Sequence, residues 1–208
     1  NNIRIDGSIA TESSSEKIIG DQIKVGRKGA VDVQVEIIGK QGHAAYPQLA
    51  QNPLHCLSKV ISFFDDQKLD DGAEYFEPST LQFTQINLNN KAKNVIPEKL
   101  ITVGDMRFND NWDQEKIQNY FDEHLTKICS ENNCTYKLKL TFRGMPFQSF
   151  DNPFTKHCIK AIKDVTGLEA SQDTGGGTSD ARFMQEVCPV FEFGTCLLYT
   201  SPSPRDED

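Results

Sequence analysis

Two short segments in this sequence carry residue types at spacings that could do chemistry. In GKQGHAAYPQ, Gly39 and Gly42 break the alternation before them and leave His43 on an open loop, with Tyr46 and Pro47 close behind. An imidazole placed there can donate or accept a hydrogen bond near neutral pH, which a packed core histidine cannot readily do. The second segment is TGGGTSD over 174–180. Three consecutive glycines let backbone N–H groups converge on an anion, and a helix starting just after them would add its positive end. No Lys-Ser or Lys-Thr pair follows, so it is not a nucleotide-binding P-loop. A carboxylate fits better than a phosphate, and Arg182, in the next helical turn, could clamp it with two parallel N–H donors. Gly177 and Thr178 belong to this loop, for which a plain tight turn is the competing reading.

Other candidates are weaker taken singly. Glu12 follows an alternating stretch and could be a metal ligand or a solvated loop carboxylate. Arg27 beside Lys28, Asn94 in NVIP, and Arg107 at a strand end could each be structural or functional. His55, His124 and His157 fall on helical patterns with no second His or Cys at metal-ligand spacing, which makes them surface or packed residues.

The elements that must position these residues follow from periodicity. Ile3, Ile5 and Ile9 alternate as in a strand, and Val31, Val33, Val35 and Ile37 alternate with Asp32, Gln34 and Glu36 as in a half-buried one. Asn52 as N-cap and Pro53 at the first helical position predict a helix to about Lys68, with Leu54, Leu57, Val60, Ile61 and Phe64 at the helical period. Strands are predicted over 79–88 and 99–108, joined as a hairpin by the polar run around Asn89, Asn90 and Lys91. The N-x-x-Q pattern from Asn111 to Gln114 predicts the cap of a second helix, and Tyr136, Leu138, Leu140 and Phe142 alternate in a last strand. The order β-α-β-β-α-β is the ferredoxin-like split βαβ unit, with two helices on one face of an antiparallel sheet. Asn152, Pro153 and Gly167 then bound a third helix, and a strand is predicted over 190–193. The fold class is therefore α/β, with a ferredoxin-like module over 26–144 inserted between two pieces, 1–25 and 145–194, of another α/β domain.

Length and composition narrow the function. At 208 residues the chain can bury a real core. Its 22 Lys plus Arg against 30 Asp plus Glu, a net charge of −8, disfavour a surface that collects nucleic acid or anionic lipid. No apolar run approaches a membrane span. The split βαβ unit also occurs as an RNA reader, but no RNP-like run is present. Nucleic-acid and membrane partners are not expected. The six cysteines show no C-x-x-C pair and sit mostly in apolar patterns, which predicts buried, reduced thiols and a cytoplasmic location. After Cys196 the periodicity gives way to TSPSPRDED. Both ends read as cut, and 195–208 reads as a non-native tail, with native sequence ending near Gly194 or Thr195.

Taken together, GDQIKVGRKGA, GKQGHAAYPQLAQNPLH, EYFEPSTLQF, NVIP and TGGGTSDARF, in this order, resemble the di-zinc aminoacylase and carboxypeptidase superfamily, and within it the desuccinylase branch. The resemblance covers about 3–194. It implies a zinc-peptidase-like α/β catalytic domain interrupted by a ferredoxin-like dimerisation domain, and hydrolysis of the amide of N-succinyl-LL-2,6-diaminopimelate by a homodimer. The cofactor implied is two zinc ions, with cobalt an alternative, which lower the pKa of a bridging water toward about 7 and polarise the carbonyl. By motif position Glu12 is a terminal metal ligand, and His43 is the residue that reaches the partner's site to hydrogen-bond the developing oxyanion. Arg27, Tyr46, Asn94, Arg107, Gly177, Thr178 and Arg182 fall at substrate contacts, where a substrate with several carboxylates needs forked donors.

Some positions depart from the pattern. Thr11 and Ser13 flank Glu12 where the family has Gly and Pro, Lys93 replaces an asparagine before NVIP, and Ala30 replaces a frequent serine. The H-x-D segment, the bridging aspartate and the Glu-Glu pair are expected before Asn1, and a last histidine after 191–194. The 208-residue chain is therefore expected to be inactive by itself. A sister deacylase of acetylornithine type, a small-peptide carboxypeptidase and a non-catalytic dimerisation module are the alternatives.

Overall fold

The computed structural model describes residues 4–177 and 179–196. The chain divides into two compact units: Asn1–Gly29 with Gly72–Glu77 and Gly144–Asp208, and Ala30–Asp71 with Pro78–Arg143. Along the chain come β1 (Ser8–Ala10), β2 (Gln22–Lys24), β3 (Gly26–Arg27), β4 (Gly29–Ile38) and β5 (Gly42–His43). Then follow α1 (Pro53–Asp66), β6 (Thr80–Asn87), β7 (Val95–Ile96), β8 (Lys99–Phe108), α2 (Gln114–Glu131) and β9 (Thr135–Gly144). The last elements are β10 (Phe147–Gln148), α3 (Pro153–Thr166), β11 (Ser171–Asp173), α4 (Ala181–Met184) and β12 (Val190–Glu192).

The second unit is the split βαβ module, with sheet order β6-β8-β4-β9. Its hydrophobic pattern dictates one covered face. Val31, Val33, Val35 and Ile37 of β4 and Leu100, Met106 and Phe108 of β8 pack with Leu57, Val60 and Phe64 of α1 and Ile117, Phe121 and Leu125 of α2. Burying each such large side chain is worth about 1.5–3 kcal/mol, and this cluster is the main driving force of the unit. β6 and β8 pair antiparallel, with an irregularity between Phe83 and Gln85. Asn52 caps α1 by accepting from Leu54 N–H at 3.0 Å. The cap of α2 is Asp113, which accepts from Lys116 N–H at 2.7 Å. That is two residues beyond the N-x-x-Q prediction, because Asn111 N–H instead donates to Asn109 Oδ1 at 3.1 Å.

The first unit carries a sheet of order β1-β12-β2-β11 and a separate β3/β10 ribbon. Ile23, Val25 and Phe191 form its core with Phe154, Cys158 and Ile162 of α3. Asn152 caps α3 by accepting from Thr155 N–H at 2.8 Å. Gly167 ends it in the left-handed conformation, φ 74°, and donates to Lys163 O. Of the strand read from Ile3, Ile5 and Ile9, β1 holds Ile9, Ile5 stands outside it and Ile3 lies outside the described residues, and β2, β3, β10 and β11 are too short to show a period. The Gly72–Glu77 excursion packs here: Tyr75 stacks on Phe150 at 4.3 Å, and its carbonyl accepts from Thr174 Oγ1 at 2.7 Å. Backbone pairing also continues past the expected end. Thr195 O accepts from Ser14 and Ser15 N–H, and Cys196 forms a bridge with Ser15. The rest of the proposed tail lies outside the described residues.

All six cysteines are free, with Cys56, Cys129, Cys134 and Cys188 buried. Cys56 and Cys129 touch at 3.7 Å between sulfur atoms. Burial, with Cys56 beside it, pushes the Cys134 thiol up to about 11, so it stays protonated. His124 lies against Phe63 at 4.6 Å, and His157 Nδ1 is 2.7 Å from Pro153 O, so both act as packed or surface residues. No helix among the described residues is long and apolar enough to cross a membrane.

Candidate functional site

The two motif segments of the second unit meet. β5 and β7 pair antiparallel, with Gly42 opposite Ile96 and His43 opposite Val95. Ala44 N–H donates to Asn94 O at 2.9 Å, so His43 and Asn94, 51 positions apart, become neighbours. Gly42 is needed because a Cβ there would lie 2.7 Å from Ala50 Cβ. The imidazole Nδ1 accepts from Ala45 N–H at 3.1 Å. In the neutral ring the proton therefore sits on Nε2. Nε2 lies 3.4 Å from Asn94 Nδ2, and with Nε2–H as donor the Asn94 amide is better turned to present its oxygen. The Tyr46 ring is 5.9 Å away and 57% exposed. The ribbon thus holds an exposed, oriented imidazole whose one N–H points to the Asn94 side chain at a long 3.4 Å and could exchange it for an oxygen that gains negative charge.

The first unit gathers cations. Arg27, Lys28 and Arg182 line one small pocket with Gly144, Met145, Phe147 and Ser179. Arg27 is buried, and its Nε donates to the two carboxylate oxygens of Glu192 at 3.1 and 2.9 Å. Its Nη1 donates to Gly175 O at 2.6 Å. Gly176 has φ +102°, and a Cβ there would sit 2.1 Å from Arg27 Nη1, so only glycine fits. Arg182 lies 4.7 Å over the Phe183 ring. Gly177 faces open space, and Thr178 lies outside the described residues. The expected helix end adds little here: α4 is a single turn of four residues, too short to sum a useful dipole.

Arg107 lies on the face of the second unit's sheet away from the helices. Its Nε donates to Asp105 Oδ1 at 2.6 Å, and Arg143 also pairs with Asp105. Burial by itself would raise the Asp105 carboxyl, but the two guanidinium groups outweigh it and hold it below its ordinary 3.8. A depressed carboxyl stabilises the fold above its unfolded pKa and loses that contribution as pH falls through the folded value. The urea midpoint of this unit should therefore fall as pH drops below about 4. Asp105→Asn should give a flatter profile there; an unchanged slope would remove Asp105 from the acid response.

Glu12 is exposed, and its N–H donates to Ala10 O at 3.0 Å. Gly194 packs so closely on Glu12 that a Cβ would lie 2.4 Å from its carbonyl oxygen. Among the described residues no three His, Cys, Asp or Glu side chains group closely enough to hold a metal ion. The described residues do not by themselves make up a metal centre, and Glu12 would need further ligands to hold a metal. Sequence reading missed Lys24, Asp173 and Glu192, all paired in the first unit. The only signal was a carboxylate between two phenylalanines in FEF, since such a buried charge needs a partner.

Residues 25–133 match the M20 peptidase dimerisation domain, and the chain belongs to that family. It is 39% identical over 92% of its length to succinyl-diaminopimelate desuccinylase of Paracoccus denitrificans, and 37% over 93% to that of Ehrlichia chaffeensis. It spans about half of each, 50% of their length. Among solved structures it resembles a Staphylococcus aureus tripeptidase (TM-score 0.69, 21% identity, 86% of this chain and 46% of that one). It also resembles a hydantoinase/carbamoylase-family amidase of Burkholderia multivorans (TM-score 0.75, 14% identity, 94% and 48%). At those identities the structures establish the fold.

Proposed function

We propose that this chain is a piece of a metal-dependent amide hydrolase that cleaves N-succinyl-LL-2,6-diaminopimelate to succinate and LL-diaminopimelate, for lysine and diaminopimelate synthesis. The observation that carries the reading is the 39% identity to a desuccinylase across nearly the whole chain. In this reading the enzyme is a cytoplasmic homodimer. The inserted unit over 26–144 is its dimerisation domain, and 1–25 with 145–194 are parts of its catalytic domain. Two zinc ions, or cobalt, would bind chiefly to ligands outside this chain, with Glu12 as one contributor.

The chain's own residues would bind and orient substrate. Arg182 would offer a guanidinium to a carboxylate, and Gly177 and Thr178 backbone N–H groups; Arg27 and Arg107, whose forks bond Glu192 with Gly175 O and Asp105, would reach substrate only by exchanging those partners. Tyr46 and Asn94 flank His43, whose Nε2–H would donate to the oxyanion in the partner's site. The test compares release of succinate from succinyl-diaminopimelate with release of acetate from acetylornithine by the full-length enzyme. We expect the first to dominate and the 208-residue chain alone to release neither. Preference for acetylornithine would move the protein to the sister activity, and turnover by the short chain would overturn the fragment reading.

A further inference from the structure

The first unit places four charged side chains where apolar ones would fold as well. β2 pairs with β11 and β12 so that Lys24 stands opposite both Asp173 and Glu192. Lys24 pairs with Asp173, and Arg27 pairs with Glu192. Side-chain exposure is 5% for Lys24, 7% for Arg27 and 1% for Glu192, with Asp173 at 30%. Taking such charges out of water costs about as much as the pairing returns, so well-packed apolar residues would serve stability equally. What they could not do is hold a peptide. The Gly175 N–H donates to Asp173 Oδ2 at 3.1 Å, and the Gly175 carbonyl accepts from Arg27 Nη1 at 2.6 Å. One ion pair holds the N–H and the other the carbonyl of Gly175, which fixes the two successive peptide units on either side of its Cα.

The residue held in this way opens the three-glycine run. Glycine loses more conformational freedom on ordering than any other residue, so this run has the least local reason to keep one shape. Gly176 and Gly177 are exposed, and a Cβ on Gly177 would meet nothing. Binding to a loop that must first be ordered is weakened by the cost of ordering, and a clamp in place beforehand removes it. We propose that Asp173 and Glu192 are positioning residues: through one buried and one partly buried ion pair they hold the Gly175 backbone on both sides of its Cα and keep the 175–177 backbone pre-formed for a substrate carboxylate. The ligand part of this inference rests on the desuccinylase reading; the clamp does not.

Backbone hydrogen exchange over 175–177 in the 208-residue chain tests the clamp. The paired swap Lys24→Met with Asp173→Leu removes the acceptor without leaving an unpaired charge, and Glu192→Gln releases Arg27 from the other side. Each should speed exchange at 175–177 by roughly tenfold or more, with protection in α3 and β4 unchanged. Unchanged exchange at 175–177, or protection lost throughout, would overturn the proposal and assign the charges to folding alone. In the full-length enzyme the paired swap should raise KM for succinyl-diaminopimelate by about tenfold with kcat nearly constant, the pattern of lost binding. An unchanged KM would overturn the ligand part. Wild-type enzyme that does not hydrolyse this substrate would remove the functional reading, while the exchange result still decides the clamp.

Discussion

Asp70→Ala should unfold the ferredoxin-like unit at far lower urea than the unaltered chain, a loss of about 3–5 kcal/mol. The carboxylate of Asp70 accepts from Asn109 Nδ2 at 2.7 Å, from Trp112 Nε1 at 2.7 Å and from Ser79 N–H at 3.2 Å. Asn109 is fully buried and Ser79 nearly so. Ser79 Oγ accepts from Asn109 N–H in turn, so one carboxylate joins the start of β6, the end of β8 and the approach to α2. Hydrogen bonds to a charged group contribute about 1.5–3 kcal/mol each, and removing the acceptor leaves buried donors with neither protein nor water. Asp70→Asn keeps the shape and part of the bonding, so its cost should be about half. Trp112 is the chain's single tryptophan, so its fluorescence reports this unit directly. Midpoints of both variants within error of wild type would show that the hub carries no net stability.

That hub had no trace in the sequence, where Asp70 is one of several acidic residues in a polar run. The contrast with β4 is physical. Val31 to Ile37 repeat a burial decision every second residue, and α1 repeats one at the helical period, so each residue confirms its neighbours. Helix ends with side-chain signals were legible for the same reason at Asn52 and Asn152. At α2 the N-x-x-Q pattern pointed to Asn111, whereas Asp113 supplies the cap and Asn111 N–H is tied to Asn109 Oδ1 in the preceding turn. Elements of two or three residues, such as β2, β5, β7 and β11, carry no period and exist through partners far along the chain. The candidate site shows the same division. The residue types of His43, Asn94 and the glycine run were visible as motifs, but the pairing that puts Asn94 beside His43 comes from β5 and β7. Lys24, Asp173 and Glu192 belong to no motif, and only the strand register aligns them.

His43→Ala in the full-length enzyme should lower kcat by about 10²–10³-fold, the usual loss of one oxyanion donor, with KM little changed. The fold should not suffer, because the ring is exposed and its bonds run to Ala45 N–H and the Asn94 side chain. Asn94→Ala should cost less than His43→Ala, since it removes an orienting contact and leaves the donor in place. A kcat unaltered by His43→Ala would remove the oxyanion role. The proposed action across the dimer makes a sharper demand. His43→Ala subunits lack the donor, and Glu12→Ala subunits lack a proposed metal ligand, so each homodimer should be nearly inactive. In a mixed dimer the subunit with Glu12 can receive His43 from its partner, restoring one site of two. Random mixing of equal amounts should then recover about a quarter of wild-type activity, because half the dimers are mixed. If His43 acted within its own subunit, every site in the mixture would still lack one of the two residues and no activity would return.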